Sequence, residues 1–406
     1  MTDYDFPHIT HIDEVRSAIK DRKDFIEANR GDYIIFNYRA SNPTQTFPEV
    51  TDKQSAILRE CRGITFCATS GRVVARKFHK FFNVNERSET KAGKVDLEKN
   101  HHVILEKLDG SMISPFRRKD ASIEWHTKMG ATDVAKLAED FVLRNPHYND
   151  FASSMLDAGC TPLFEFCSQK SQIVVFHPQD RLVLLAVREN ESGMYRTYLQ
   201  LQGYANRYKI ELVQEFPGSV ESMQDLIDQT RALTDAEGYV LRFDDGHMLK
   251  VKGDWYTSLH RSAKGGVRQE VELWKHAVEG TLDDVKALAD ERDRVALETF
   301  ENRFWKGFDD IRCKLLKVYD CQKEIDKELG YVLEAKRLQK AKRAVFGREF
   351  APSFGPLEPL AFAVFEGGDP HDVIKGWVVK HTNNSKALER IRPHFGSLNW
   401  DDIRSL

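Results

Sequence analysis

Glu106-Lys-Leu-Asp-Gly-Ser111 closes an apolar run that begins at Val103. The Lys-x-Asp-Gly string at its centre is weak alone, since it turns up by chance in roughly one chain in ten of this size. Its plain reading is a strand ending in an Asp-Gly turn, with Lys107 in solvent. Its chemical reading is a nucleophile. A lysine amine attacks phosphorus only when neutral, so Lys107 would need desolvation or neighbouring cations to bring its pKa down.

Candidate neighbours lie on both sides. Downstream, Lys250-Val-Lys252 puts two ammonium groups on one face of an expected strand, because side chains alternate with period two. The pair suits a phosphate on which charge develops, although charge on an edge strand is the commoner use of such a pattern. Phe164-Glu-Phe166 sets a carboxylate in an apolar strand, which is costly without a partner. Ala236-Glu-Gly-Tyr-Val240 sets another beside a glycine. Carboxylates near a triphosphate act through Mg²⁺ or bind ribose hydroxyls, while either glutamate alone reads as structural. Upstream, Glu60-Cys-Arg-Gly63 and His79-Lys-Phe-Phe-Asn83 add an arginine and a lysine beside strands, and Thr127-Lys-Met-Gly130 adds a lysine at a turn.

Each string is ordinary surface chemistry; their order is not. Taken together, ECRGITF, KFFNVNE, EKLDGSMIS, FEFCSQKSQIV, LLAVRENESG, EGYVLRFDDG and KVKGDWYTSLH resemble the covalent nucleotidyltransferases. In particular they are similar to the bacteriophage-type RNA ligase 1 family of ATP-dependent tRNA-repair ligases. The likeness is collinear over residues 30–260 or so and weakens after about residue 290.

The resemblance implies roles. Lys107 would be the adenylated lysine of motif I, with Gly110 and Ser111 completing its turn. Arg62 and Lys80 fall at positions the family needs for catalysis, Lys80 toward the β- and γ-phosphates and Arg62 toward the ribose or an RNA end. Phe82 would shape that pocket, and Lys128 matches the lysine after motif I. Glu165 falls at motif III, near ribose or a metal-bound water. Glu237 with Gly238 falls at motif IV, which positions Mg²⁺. Lys250 and Lys252 are the motif V pair on the α-phosphate, and Tyr38 is a candidate adenine contact. Asp283 matches an aspartate linked to a second metal, yet an acid in the first turn of a helix needs no metal. The expected cofactors are ATP, carried as AMP on Lys107, and Mg²⁺ with Mn²⁺ as a substitute. The expected partner is RNA with 3′-hydroxyl and 5′-phosphate ends, such as a nicked tRNA anticodon loop.

Length and composition fit this without adding to it. A chain of 406 residues suggests two domains. With 41% hydrophobic residues, 30% charged residues and a net charge of −3, nothing global advertises a polyanion partner. The six cysteines have no CxxC or CxxH spacing, which argues against zinc and against a disulfide framework. No apolar run approaches the ~20 residues of a membrane span, and no signal peptide is evident. The expectation is a cytoplasmic monomer, in the host cytoplasm if the chain is phage-encoded.

Pattern reading gives an α+β class, with antiparallel sheets and helices over residues 1–260 and a mainly helical domain over 261–406; the resemblance makes the first an adenylyltransferase domain and implies that the second could select RNA. Helices are expected near Asp13–Asn29, Thr132–Arg144, Thr197–Tyr208 and Ser222–Leu233. Strands are expected at Tyr33–Tyr38, Gly63–Phe66, Arg72–Phe78, Val103–Glu106, Ser122–Thr127, Leu163–Phe166, Ile173–Val175, Arg181–Arg188, Tyr239–Phe243 and Met248–Val251. A hinge is expected at Ser262–Gly266 and a Pro/Gly-rich loop at 352–359. DNA ligases and capping enzymes share the lysine chemistry but append an OB-fold, five short strands where helical periodicity follows here. A catalytically inert RNA-binding module would not need the whole set of lysines and glutamates.

Overall fold

The computed structural model describes every residue except 1–4, 40–45, 172–174, 255–269, 287–290, 330–334, 383–384 and 405–406. The chain forms two compact units, residues 1–264 and 265–406. Among the described residues no helix is long and apolar enough to cross a membrane. The expected hinge at Ser262–Gly266 and most of the expected strand Ile173–Val175 fall outside the described residues.

Among the described residues the first unit is α+β, with three sheets. The first joins β1 (Phe25–Asn29), β2 (Tyr33–Tyr38), β3 (Ile64–Cys67) and β4 (Val73–Ala75) in that order, all antiparallel. The second has the order β11-β10-β9-β7-β8, comprising β7 (Ser111–Arg117), β8 (Ile123–His126), β9 (Cys160–Cys167), β10 (Arg181–Glu189) and β11 (Glu211–Leu212). The third runs β5-β13-β12-β6, comprising β5 (Phe82–Asn83), β6 (His102–Lys107), β12 (Gly238–Phe243) and β13 (Met248–Lys252).

The helices begin where side chains satisfy their free N–H groups. Thr132 caps Asp133–Arg144, Thr197 caps Tyr198–Tyr208 and Ser222 caps Met223–Arg231. The apolar faces of the first two, with helix His147–Asp157, cover one face of the second sheet around Trp125, Phe151, Phe164 and Phe166. Met223, Leu226 and Ile227 cover the third sheet against Leu241, Leu249 and Val251.

The structure corrects one helix and one loop. The helix expected over Asp13–Asn29 ends at Ala18, and Phe25–Asn29 is a strand paired with β2. Asp21 has a positive φ of 62°, which a continuing helix cannot hold, and Phe25 is buried in the core that covers the first sheet. The Pro/Gly stretch is not a plain loop: Ala351–Leu357 is a 3₁₀ turn bent at Gly355 (φ 54°), and helix Glu358–Phe365 starts with Pro359, which needs no N–H there.

In the second unit every regular element among the described residues is helical. Its longest helix, Glu291–Leu316, buries Phe300, Phe304, Phe308, Ile311 and Leu315. Trp274 lies edge-on to Phe304 and Phe395, with ring centroids 5.4 and 4.8 Å apart. Inside this packing Lys286 meets Glu301 at 2.8 Å.

Candidate active site

The Lys-x-Asp-Gly string forms the corner between two sheets. β6 ends at Lys107 in the third sheet, and Ser111 begins β7 in the second. Gly110 makes the corner possible: a Cβ there would lie 2.5 Å from the Phe166 carbonyl oxygen and 3.1 Å from Glu165 Cγ. Asp109, buried in the turn, accepts the Val175 N–H at 2.7 Å, and its carbonyl lies 2.8 Å from His177 Nε2. Neither tether was signalled by the sequence, because both partners lie more than sixty residues away.

Lys107 sits in one rung of the third sheet. Gly238 of β12 is the register partner of Lys107 on one side and of Lys252 on the other. Glu237, the residue before it, is 5% exposed and holds both ammonium groups: Lys107 Nζ at 2.7 Å from Oε2 and Lys252 Nζ at 3.3 Å from Oε1. Gly238 has φ 143°, and a Cβ would collide with the Val251 carbonyl, so a side chain would push the rung apart. Lys250 shares the face of Lys252, while Val251 between them is buried on the other. Lys250 pairs with Asn83 of β5 and carries its Nζ 5.5 Å from the Phe81 ring centroid.

Glu165 on β9 faces the same corner, and its register partner is Met112. Its carboxyl is densely surrounded by protein, and this burial pushes its pKa up to about 8. Lys107 opposes the rise, while Glu237 and Asp109 add to it. At neutral pH Glu165 is therefore largely protonated, able to donate as well as accept a hydrogen bond.

A second set of expected residues gathers around the first sheet. Arg62 Nη1 donates to the His79 carbonyl at 3.0 Å. Lys80 is buried, its Nζ 5.0 Å from the Phe82 ring centroid and 5.6 Å from that of Phe47. Phe82 is a core residue, and the guanidinium groups of Arg59 and Arg87 also stack on its ring, each at 4.8 Å. Lys128 Nζ lies 5.0 Å from the centre of the Tyr38 ring, which packs edge-on against Phe47. Gly63 abuts the Lys128 backbone, with φ 96° and only 2.8 Å between its would-be Cβ and the Lys128 carbonyl. Phe47 thus links Tyr38 with Lys80, and β5 carries the chain on to the partner of Lys250.

Sequence reasoning missed Lys77. It is buried, donates to the Gly63 carbonyl at 2.9 Å, and burial lowers its pKa to about 7. Asp283 belongs to the second unit, buried on the short helix Leu282–Lys286. A clustering of Asp369, His371 and Asp372 at the start of helix Pro370–His381 is explained by capping, since Asp369 accepts the N–H of both neighbours.

Residues 60–256 match a family model described as RNA ligase. A putative RNA ligase of Thermovibrio ammonificans is 30% identical over 254 residues, 61% of this chain and 63% of that protein. A putative bifunctional polynucleotide kinase/RNA ligase of Autographa californica nuclear polyhedrosis virus is 26% identical over 281 residues, 63% of this chain and 37% of that protein. The chain therefore matches less than two thirds of the length of either relative. Among solved structures, an archaeal ATP-dependent RNA ligase is 12% identical at a TM-score of 0.43, covering 70% of this chain and 75% of that one. Over residues 60–256 the chain is therefore similar to the RNA ligases that this family model describes.

Proposed function

We propose that the chain is an ATP-dependent RNA ligase that works through AMP bound covalently to Lys107. The supporting observation is the rung Lys107–Gly238–Lys252, with one buried carboxylate, Glu237, between the two ammonium groups. A surface that only binds RNA has no use for a lysine so held inside a corner.

In this reading the neutral amine of Lys107 attacks the α-phosphorus of ATP, a P–N bond forms, and the bond to pyrophosphate breaks. Lys250 and Lys252 bind the α-phosphate oxygens as charge grows on them. An oxygen of an RNA 5′-phosphate then displaces the lysine, whose nitrogen takes up a proton as it leaves. Finally a 3′-hydroxyl attacks that 5′-phosphate, a phosphodiester forms and AMP departs. Most of the catalysis is positioning and charge neutralisation.

The donor set fits a divalent cation. Burial is the main cause of the raised Glu165 pKa, and the nearby Glu237 and Asp109 carboxylates add to it, a local excess of negative charge that a cation would offset. Glu237 is the residue to hold Mg²⁺, or Mn²⁺ in its place, and the ion would supply charge neutralisation at the phosphates. Glu165, in its protonated form, suits a ribose hydroxyl. Lys80 is assigned to the β- and γ-phosphates, Arg62 to the ribose or RNA end, and Tyr38 beside Lys128 to the base. The second-metal role of Asp283 keeps only its support from the resemblance, as do tRNA repair and a helical unit that selects RNA.

The test is incubation with α-labelled ATP and Mg²⁺, then denaturing electrophoresis, then addition of RNA bearing a 5′-phosphate and a 3′-hydroxyl. Label should stay on the wild-type chain, be absent from Lys107→Ala, and move to RNA before sealing. A labelled Lys107→Ala chain would contradict the assignment. So would a wild-type chain that takes up no AMP even after pyrophosphate has stripped any adduct already present.

A further inference from the structure

Segments 59–63 and 76–80, which carry Arg62 and Lys80, are joined by successive reciprocal bonds. The Lys80 N–H donates to the Arg59 carbonyl at 2.7 Å. Arg76 meets the Glu60 carboxylate through Nε and Nη2, both at 3.1 Å. Arg62 Nη1 donates to the His79 carbonyl at 3.0 Å, and Lys77 Nζ to the Gly63 carbonyl at 2.9 Å. Each segment thus binds the other through both side chains and backbone.

Arg188 reaches in from β10 and ties the two together. Its guanidinium forks onto Glu60 at 2.7 and 2.8 Å, its Nη1 also donates to the Lys77 carbonyl at 2.5 Å, and its Nε donates to the Gly193 carbonyl at 2.7 Å. The side chains of Glu60, Arg76 and Arg188 are at most 1% exposed. Burial pushes the Glu60 carboxyl up, and the two guanidinium groups more than offset it, leaving it below its usual range. Buried ion triads are poor sources of stability, because well-packed apolar residues serve as well or better. What a forked, fully bonded triad supplies is one fixed geometry.

We infer that Glu60 and Arg188 are positioning residues, holding the segments of Arg62 and Lys80 in one register so that Lys80 is set for the outer phosphates of a bound triphosphate. The inference rests on the proposed function, in which Lys80 meets the β- and γ-phosphates. Neither Glu60 nor Arg188 touches the nucleotide in this account. Both act through the backbone they hold.

Arg188→Lys keeps the charge but loses the fork, and Glu60→Asp keeps the carboxylate but draws it back by one carbon. Binding of α,β-methylene ATP and of AMP would be measured by calorimetry on the full chain, with thermal melts alongside. Both variants should melt cooperatively and bind the triphosphate analogue about tenfold more weakly, with AMP affinity within about twofold of wild type. Equal weakening of both nucleotides, or wild-type affinity for both, would overturn the inference. Loss of cooperative melting in both variants would overturn it too, by making the triad simply structural. A wild-type chain that binds neither nucleotide would instead overturn the functional reading on which the inference rests.

Discussion

Two carboxylates in this chain each bridge two cations, and their settings differ. Glu237 joins Lys107 to Lys252, whose side chains keep 21% and 11% of their exposure. Glu60 joins Arg76 to Arg188, both sealed from solvent. The lysine pairing is made of point charges that can let go and re-form around another anion. The arginine pairing is forked, with every arm committed to a carboxylate or a carbonyl. On the proposed function, like chemistry would serve exchange at one place and permanence at the other, with solvent access and the choice of cation deciding which.

Substitutions should separate the two. The largest effect is expected at Lys107, where Ala or Arg should abolish AMP uptake, because a guanidinium stays protonated and cannot attack. Residual label on Lys107→Arg would break the exchange half of the comparison. Next, Glu60→Gln should lower stability by about 3–5 kcal/mol in denaturant melts, since it leaves two buried guanidinium groups without their counter-charge. Glu237→Gln should cost less than Glu60→Gln, since Lys107 and Lys252 keep some contact with water, while slowing AMP transfer on the order of a hundredfold. If Glu237→Gln proved the more destabilising of the two, the contrast would fail.

Glu165 gives a pH test. Its pKa is raised from 4.5 to about 8, so the folded state holds a proton that the unfolded state has released across that window. Its contribution to stability is present below pH 4.5 and is lost as pH rises to about 8. Glu165→Gln, which cannot ionise, should match wild type at low pH and melt higher at pH 9, by an amount on the order of a few kcal/mol. The same difference at both pH values would mean that Glu165 is not held protonated. The smallest effect is expected at Tyr38. Tyr38→Leu removes the ring beneath Lys128 and should cost about 1 kcal/mol or less in stability.

Much of this was legible in the sequence, and what was not has a physical cause. Period-two alternation put Lys250 and Lys252 on one face, and Thr132, Thr197 and Ser222 marked helix starts, because these are local signals. Phe25–Asn29 was misread because a short apolar run after a helix keeps helical spacing by accident, and only its pairing with β2 decides. Ser111–Arg117 went unread because Pro115 and a glycine-led entry mask a strand. Sequence placed Lys107, Gly238 and Lys252 as candidates but could not seat them on one rung, which is a matter of register between strands. The Glu60–Arg188 pair spans 128 residues, and a buried ion pair at that separation leaves no local trace.

The most direct test of the central claim is peptide mapping by mass spectrometry after incubation with ATP and Mg²⁺. Several lysines lie in or near the proposed site, so the position of the adduct decides. One AMP on the peptide containing Lys107, removed by pyrophosphate, is the predicted result. AMP on the peptide of Lys77, Lys80, Lys128, Lys250 or Lys252, or on none, would contradict the account.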